Sequence, residues 1–206
     1  MDFKLKDLRM DWRAVVAVVV TTLLLCLDAY RTLFNNELLT RTLFYLVIPL
    51  LTILLVFRQS PADYGFRLGD WRAGLALTGA ACVAMALVMT VIARTDAFSN
   101  YYQRLTLWGL PFWLADGIEL LGWEFFFRGF LLFALYRTCG PLALVLQAVP
   151  FAMAHIGKPE FETLSCIFGG TAFGYVAWRT RSFLYPFLIH WFMAVFTTLV
   201  ASGALG

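Results

Sequence analysis

The chain has 206 residues, 61% of them hydrophobic and only 14% charged, with a mean hydropathy of +0.77. That balance excludes an ordinary water-soluble domain and predicts an all-α, polytopic membrane bundle folded as a single domain over residues 1–206. The net charge of +3 is small, and the basic residues fall between apolar runs, so no nucleic-acid partner is expected.

Residues 1–13 carry Lys4, Lys6, Arg9 and Arg13 ahead of an apolar run from Ala14 to Leu27. This imitates a secretory signal, but six further apolar stretches follow it, so it reads as a retained first span. The others are Thr42 to Phe57, Ala73 to Ala93, Pro111 to Tyr136, Leu142 to His155, Thr163 to Trp178 and Phe183 to Ala201. The bundle is therefore expected to have about seven spans, within six to eight. Leading into the third span, SPADYGFRLGDWRAG (Ser60 to Gly74) predicts a compact turn at the membrane face. Phe98 to Gly109, with Tyr101, Tyr102 and Trp108, predicts an interfacial or re-entrant approach to the fourth span. Sorting the lysines and arginines other than Arg128 gives ten on the N-terminal side and five, including Arg31, Arg41, Arg94, Arg104 and Lys158, on the other. The positive-inside rule then predicts a cytoplasmic N-terminus. No internal repeat is visible, which disfavours an inverted-repeat carrier.

Cys26, Cys82, Cys139 and Cys166 stand singly in or beside apolar segments. Without CxxC spacing they predict small buried hydrophobes rather than a zinc ribbon or a disulfide framework. FGGTAFG, with Gly169, Gly170 and Gly174, predicts close helix contact.

The fourth span contains GWEFFFRGF, in which Glu124 and Arg128 stand four apart among four phenylalanines and a tryptophan. On a helix they share one face and pair. A charge deep in a bilayer costs about 2.5–3.5 kcal/mol on insertion scales, so packing alone is a poor reason to keep them. Asp116 and Glu119 add two carboxylates to the same span, Glu119 roughly 140° around the helix from Glu124. His155 ends the fifth span and His190 lies in the seventh. Titratable groups on three separate spans are what a water-containing site inside a membrane requires. Lys158 and Glu162, in HIGKPEFE, read either as a rim to that cavity or as an exposed loop.

These residues carry a resemblance. Trp123-Glu-Phe-Phe-Phe-Arg128, Phe151-Ala-Met-Ala-His155 and His190-Trp-Phe-Met-Ala194 are similar to the three motifs, EExxxR, FxxxH and HxxxN, of the CPBP intramembrane proteases. That family includes the Ras-converting CAAX prenyl endopeptidases and bacterial Abi proteins. The resemblance runs over about Ile118 to Ala194, with a family-like core at about 111–201, and GFRLGDWRAG is similar to a stretch in bacterial members. It implies an endopeptidase of a bacterial plasma membrane, acting on a peptide or lipidated protein tail held in or at the lipid bilayer. Catalysis would use a carboxylate with His155 to activate water and His190 to steady the oxyanion. Trp123 stands where the family has its water-activating glutamate, and Ala194 where it has an asparagine. Glu124, with Arg128 tuning it, or Glu119, one turn before Trp123, remain as alternative bases. The same two departures raise the alternative of a non-proteolytic membrane scaffold or regulator on this fold. No cofactor is required; two histidines and a carboxylate make zinc a rival use, against which stands the absence of HExxH.

Overall fold

The computed structural model describes residues 11–102, 105–107 and 109–205, so Lys4, Lys6, Arg9, Arg104 and Trp108 lie outside the described residues. A helix stands at each of the seven expected places. Helix α1 is Trp12–Tyr30, and α2 runs Glu37–Phe57 with two π-helical turns, Leu43–Val47 and Thr52–Phe57. Pro49 in α2 lacks the N–H that would bond to Tyr45, which accounts for the widened turn before it. Helix α3 is Trp71–Ile92 and the short α4 is Asp96–Tyr101. A two-residue hairpin follows, β1 (Thr106–Leu107) antiparallel to β2 (Leu110–Pro111). Helix α5, over 112–139, consists of Phe112–Glu124, a π-helical stretch Phe125–Leu131, and Leu132–Cys139. Gly140, at φ 55°, ends it just before Pro141. Helix α6 covers 143–153 with a break at Gln147; α7 is Glu160–Thr180 and α8 is Leu184–Ala201.

Among the described residues, five stretches are long and apolar enough to cross a bilayer, one being the 42-residue run Phe112–Met153 that Gly140 divides. The chain is an integral membrane protein built as a helix bundle. Arg41, counted above with the loops, sits inside α2.

Helix α5 is the centre. It packs against α1, α2, α7 and α8, while α8 lies on α3 and α7 on α6. Phe125, Phe126, Phe127 and Phe130 are fully buried, as expected of a helix that is apolar on every side. Lipid solvates apolar surface as well as protein does, so Leu23 and Leu87 stay exposed. The cysteines follow the same rule, and here the expectation needs correction: all four are free, but only Cys166 is buried and Cys26 is exposed. A thiol on a lipid-facing helix gains little from turning inward.

The loop 58–70 is a compact turn, as its composition predicts, and it fixes the α7–α8 connection. Tyr64 is fully buried with its hydroxyl donating to Gln59 Oε1 at 2.8 Å. Phe183 N–H bonds to Gly65 O at 3.3 Å, Asp70 N–H to Thr180 O at 2.9 Å, and the Tyr185 hydroxyl to Leu68 O at 2.8 Å. Asp70 also caps α3 through the Ala73 N–H at 3.1 Å and accepts from Arg179 at 2.8 Å. Those two donors, Ala73 first, hold its carboxyl below the usual range. The associated stabilisation is present at neutral pH and is lost as pH falls through the lowered value.

Gly69 has φ +58°, and a methyl group there would overlap the Thr180 carbonyl oxygen. Replacement Gly69→Ala is expected to destabilise the protein by at least about 2 kcal/mol, combining backbone strain with the clash. Thermal unfolding in detergent measures this.

Candidate functional site

Four of the five residues singled out above meet at the centre of the bundle. Glu124 ends the α-helical part of α5 and is completely buried, as is Arg128 one turn on. Glu124 Oε1 accepts from Arg128 Nη1 at 3.1 Å and from His190 Nδ1 at 2.7 Å. Its Oε2, and Arg128 Nε and Nη2, have no hydrogen-bond partner among the described residues. The guanidinium is instead sandwiched by aromatic faces, 3.8 Å from the Phe151 ring centroid and 5.3 Å from that of Phe173. Such cation–π contacts offset part of the desolvation of a buried cation.

Room for this arrangement comes from α7. A Cβ on Gly170 would approach Ala148 and Phe151 to 3.0 Å and Arg128 Nη2 to 3.3 Å; one on Gly174 would meet Gln147 Nε2 at 2.8 Å. Gln147 donates to Gly170 O at 2.7 Å, tying α6 to α7 where α6 is broken. The packing expected of FGGTAFG therefore belongs to Gly170 and Gly174, whereas Gly169 faces open space.

The two imidazoles stack, with centroids 6.5 Å apart and planes at 22°. His155 Nδ1 lies 2.8 Å from Phe151 O. A carbonyl oxygen only accepts, so Nδ1 carries the hydrogen, and Nε2 of the neutral ring keeps its lone pair. His190 spends its Nδ1–H on Glu124 in the same way. Both rings thus turn Nε2 away from their anchors.

A cavity of about 720 Å³ reaches these rings. His155, His190, Trp123 and Ala194 line it; Glu124 and Arg128 do not, standing behind His190. Trp123 is 8% exposed and lies edge-on to His155 at 5.5 Å, its Nε1 without a partner among the described residues. Glu119 lines the cavity too but is held by Arg41 at 2.6 Å, and Arg41 lies 3.6 Å from Asp28. At the rim, Lys158 bonds to Glu162 at 2.9 Å, and the Tyr102 hydroxyl reaches Glu162 at 2.7 Å. Of the two readings of HIGKPEFE, the cavity rim is the one observed. Among the described residues, no three His, Cys, Asp or Glu side chains gather in metal-ligating geometry.

Sequence reasoning missed Arg41 and Tyr102. Arg41 is 78 residues from Glu119 and Tyr102 is 60 from Glu162, so no spacing rule connects them. A signal existed in part: an arginine at the edge of an apolar run needs an acidic partner.

Because Arg128 is sealed in, removing its carboxylate partner strands a buried cation. Glu124→Gln is expected to cost about 3–5 kcal/mol, and the Glu124→Gln, Arg128→Met double variant clearly less than the sum of the single changes. A double-mutant cycle on thermal unfolding in detergent gives the coupling.

Residues 102–196 match the family model described as Rce1-like, type II CAAX prenyl endopeptidase. Neither a curated protein nor a solved structure gives a match. All three motifs fall inside the matched stretch, and they converge in space. Residues 102–196, the stretch that carries all three motifs, are thus similar to the type II CAAX prenyl endopeptidases of the CPBP family.

Proposed function

We propose that the protein is an intramembrane endopeptidase that hydrolyses a peptide or a lipidated protein tail entering from the bilayer. The observation carrying this reading is the Glu124–His190 contact at 2.7 Å, backed by Arg128 and facing a second imidazole across the end of a 720 Å³ cavity. A carboxylate behind an imidazole is the arrangement that makes histidine a general base, because it fixes the tautomer and stabilises the imidazolium as it forms.

Glu124 has no exposed surface, which favours His190 over the carboxylate as the group that meets water. In the proposed reaction, His155 Nε2 and His190 Nε2 accept the two hydrogens of one water. As the water oxygen bonds to the scissile carbonyl carbon, one proton passes to His190 Nε2. The tetrahedral adduct then collapses, the C–N bond breaks, and His190 returns the proton to the leaving amine. Arg128 holds Glu124 in place; Glu119 is a less favoured base because Arg41 already occupies it. The charge excess of the N-terminal side supports a cytoplasmic N-terminus.

The test is hydrolysis of a peptide library by the purified chain in lipid nanodiscs. His190→Ala, His155→Ala and Glu124→Gln are each expected to lower kcat/KM by at least about a hundredfold in protein that remains folded. Cleavage surviving in all three would remove the peptidase reading. The combined Trp123→Glu, Ala194→Asn variant, which restores the family pattern, is expected to raise kcat at least about tenfold by adding a carboxylate and an amide donor at the cavity wall. If the unaltered chain cleaves nothing and this variant does, the natural protein is a non-proteolytic scaffold or regulator.

A further inference from the structure

Helix α5 presents Asp116, Glu119, Leu120 and Trp123 to the cavity, a single face with spacings of three and four. Its carboxylates do not share one fate. Glu119 is neutralised by Arg41 at 2.6 Å, and across the mouth Glu162 is neutralised by Lys158 at 2.9 Å. Lys158 is further engaged by the Tyr102 hydroxyl at 3.3 Å. Asp116, partly buried, makes no hydrogen bond or ion pair with any described residue. Among the described cavity-lining residues the charges leave one carboxylate in excess, at a known place on the wall.

That place can be measured against the reacting groups. Asp116 lies seven residues, hence about 10.5 Å along the helix, from Trp123, and the Trp123 ring is 5.5 Å from that of His155. An extended peptide advances about 3.3 Å per residue, so the stretch of wall from Asp116 to Trp123, beside His155, corresponds to about three residues. Between the two points the wall carries the mutually neutralised Arg41–Glu119 pair beside apolar Leu120 on α5, and Met89 of α3 also lines the cavity.

We propose that Asp116 is a specificity-determining residue that receives a cationic side chain, lysine or arginine, about three residues from the bond to be cut. The inference rests on the peptidase reading above and narrows its substrate to a segment apolar at the cut and basic near one end of the cavity. Acidic residues at the same position are disfavoured by repulsion from the uncompensated Asp116 carboxylate.

The experiment walks lysine, alanine or glutamate through each position of one quenched fluorescent peptide and reads kcat/KM with the full chain in nanodiscs. Lysine three residues from the cut is expected to exceed alanine by about tenfold, and glutamate to fall below both. In Asp116→Asn, nearly isosteric, the lysine-to-alanine ratio falls to within about twofold; in Asp116→Lys the order reverses in favour of glutamate. Binding of the same peptides to His190→Ala, read by fluorescence anisotropy, measures the preference without catalysis. Binding that favours lysine and loses that preference in His190→Ala, Asp116→Asn supports the inference even if no peptide is cleaved, an outcome that defeats only the peptidase reading. Cleavage or binding indifferent to charge, or a lysine preference that persists in Asp116→Asn, overturns it.

Discussion

The structure depends on finding partners for a carboxylate where neither water nor lipid reaches it. Glu124 has an arginine on one side and an imidazole on the other, both bonded to the same oxygen. Each member needs the other two. Removing Glu124 strands Arg128 among phenylalanine rings, and removing Arg128 leaves an anion whose remaining neighbour is a histidine. Buried ion pairs are seldom a net source of stability compared with well-packed hydrocarbon, so this one acts mainly as a constraint: it forces α8 to bring His190 against α5 at one height and one rotation.

The surrounding fold accommodates that constraint. Seven successive residues of α5, Phe125–Leu131, are π-helical and buried, directly after Glu124. A π-helical stretch shifts the register of every later side chain, here in the turn that carries Arg128. Small residues on α7 provide the complementary hollow, since at Gly170 even a methyl group would crowd Arg128 and Phe151. On the far side, the 58–70 loop bonds to both ends of the α7–α8 connection, limiting how far α8 can slide.

One helix thereby serves two environments. The face of α5 bearing Asp116, Glu119 and Trp123 opens on the cavity, while Glu124, one residue beyond Trp123, points into the sealed interior and supports His190 from behind. Trp123 contributes bulk and an aromatic edge to His155 where the family pattern has an acid. The carboxylate bonded to His190, that of Glu124, lies outside the cavity lining, and the cavity's own carboxylates lie farther out along the same wall.

Much of this was legible in the residues. Hydropathy is read along one dimension, so the helices at 14–27, 42–57 and 73–93 could be located to within a few residues, and the Glu124–Arg128 pair followed from their spacing of four. The 140° offset between Glu119 and Glu124 already implied that they face different surroundings. That His155 and His190 meet near Glu124 was suggested by the need for intramembrane titratable groups to converge and by the resemblance to a family, whereas no spacing rule connects residues 66 apart. The sequence by itself determined a helical membrane protein with its few ionisable groups confined to particular spans. Only the tertiary structure decided which of them pair: Arg41 with Glu119, Lys158 with Glu162, His190 with Glu124, and Asp116 with none of the described residues. The reason is geometric, since partnership across helices depends on their mutual rotation and offset, which are set by how buried side chains interlock and not by the periodicity of any one helix.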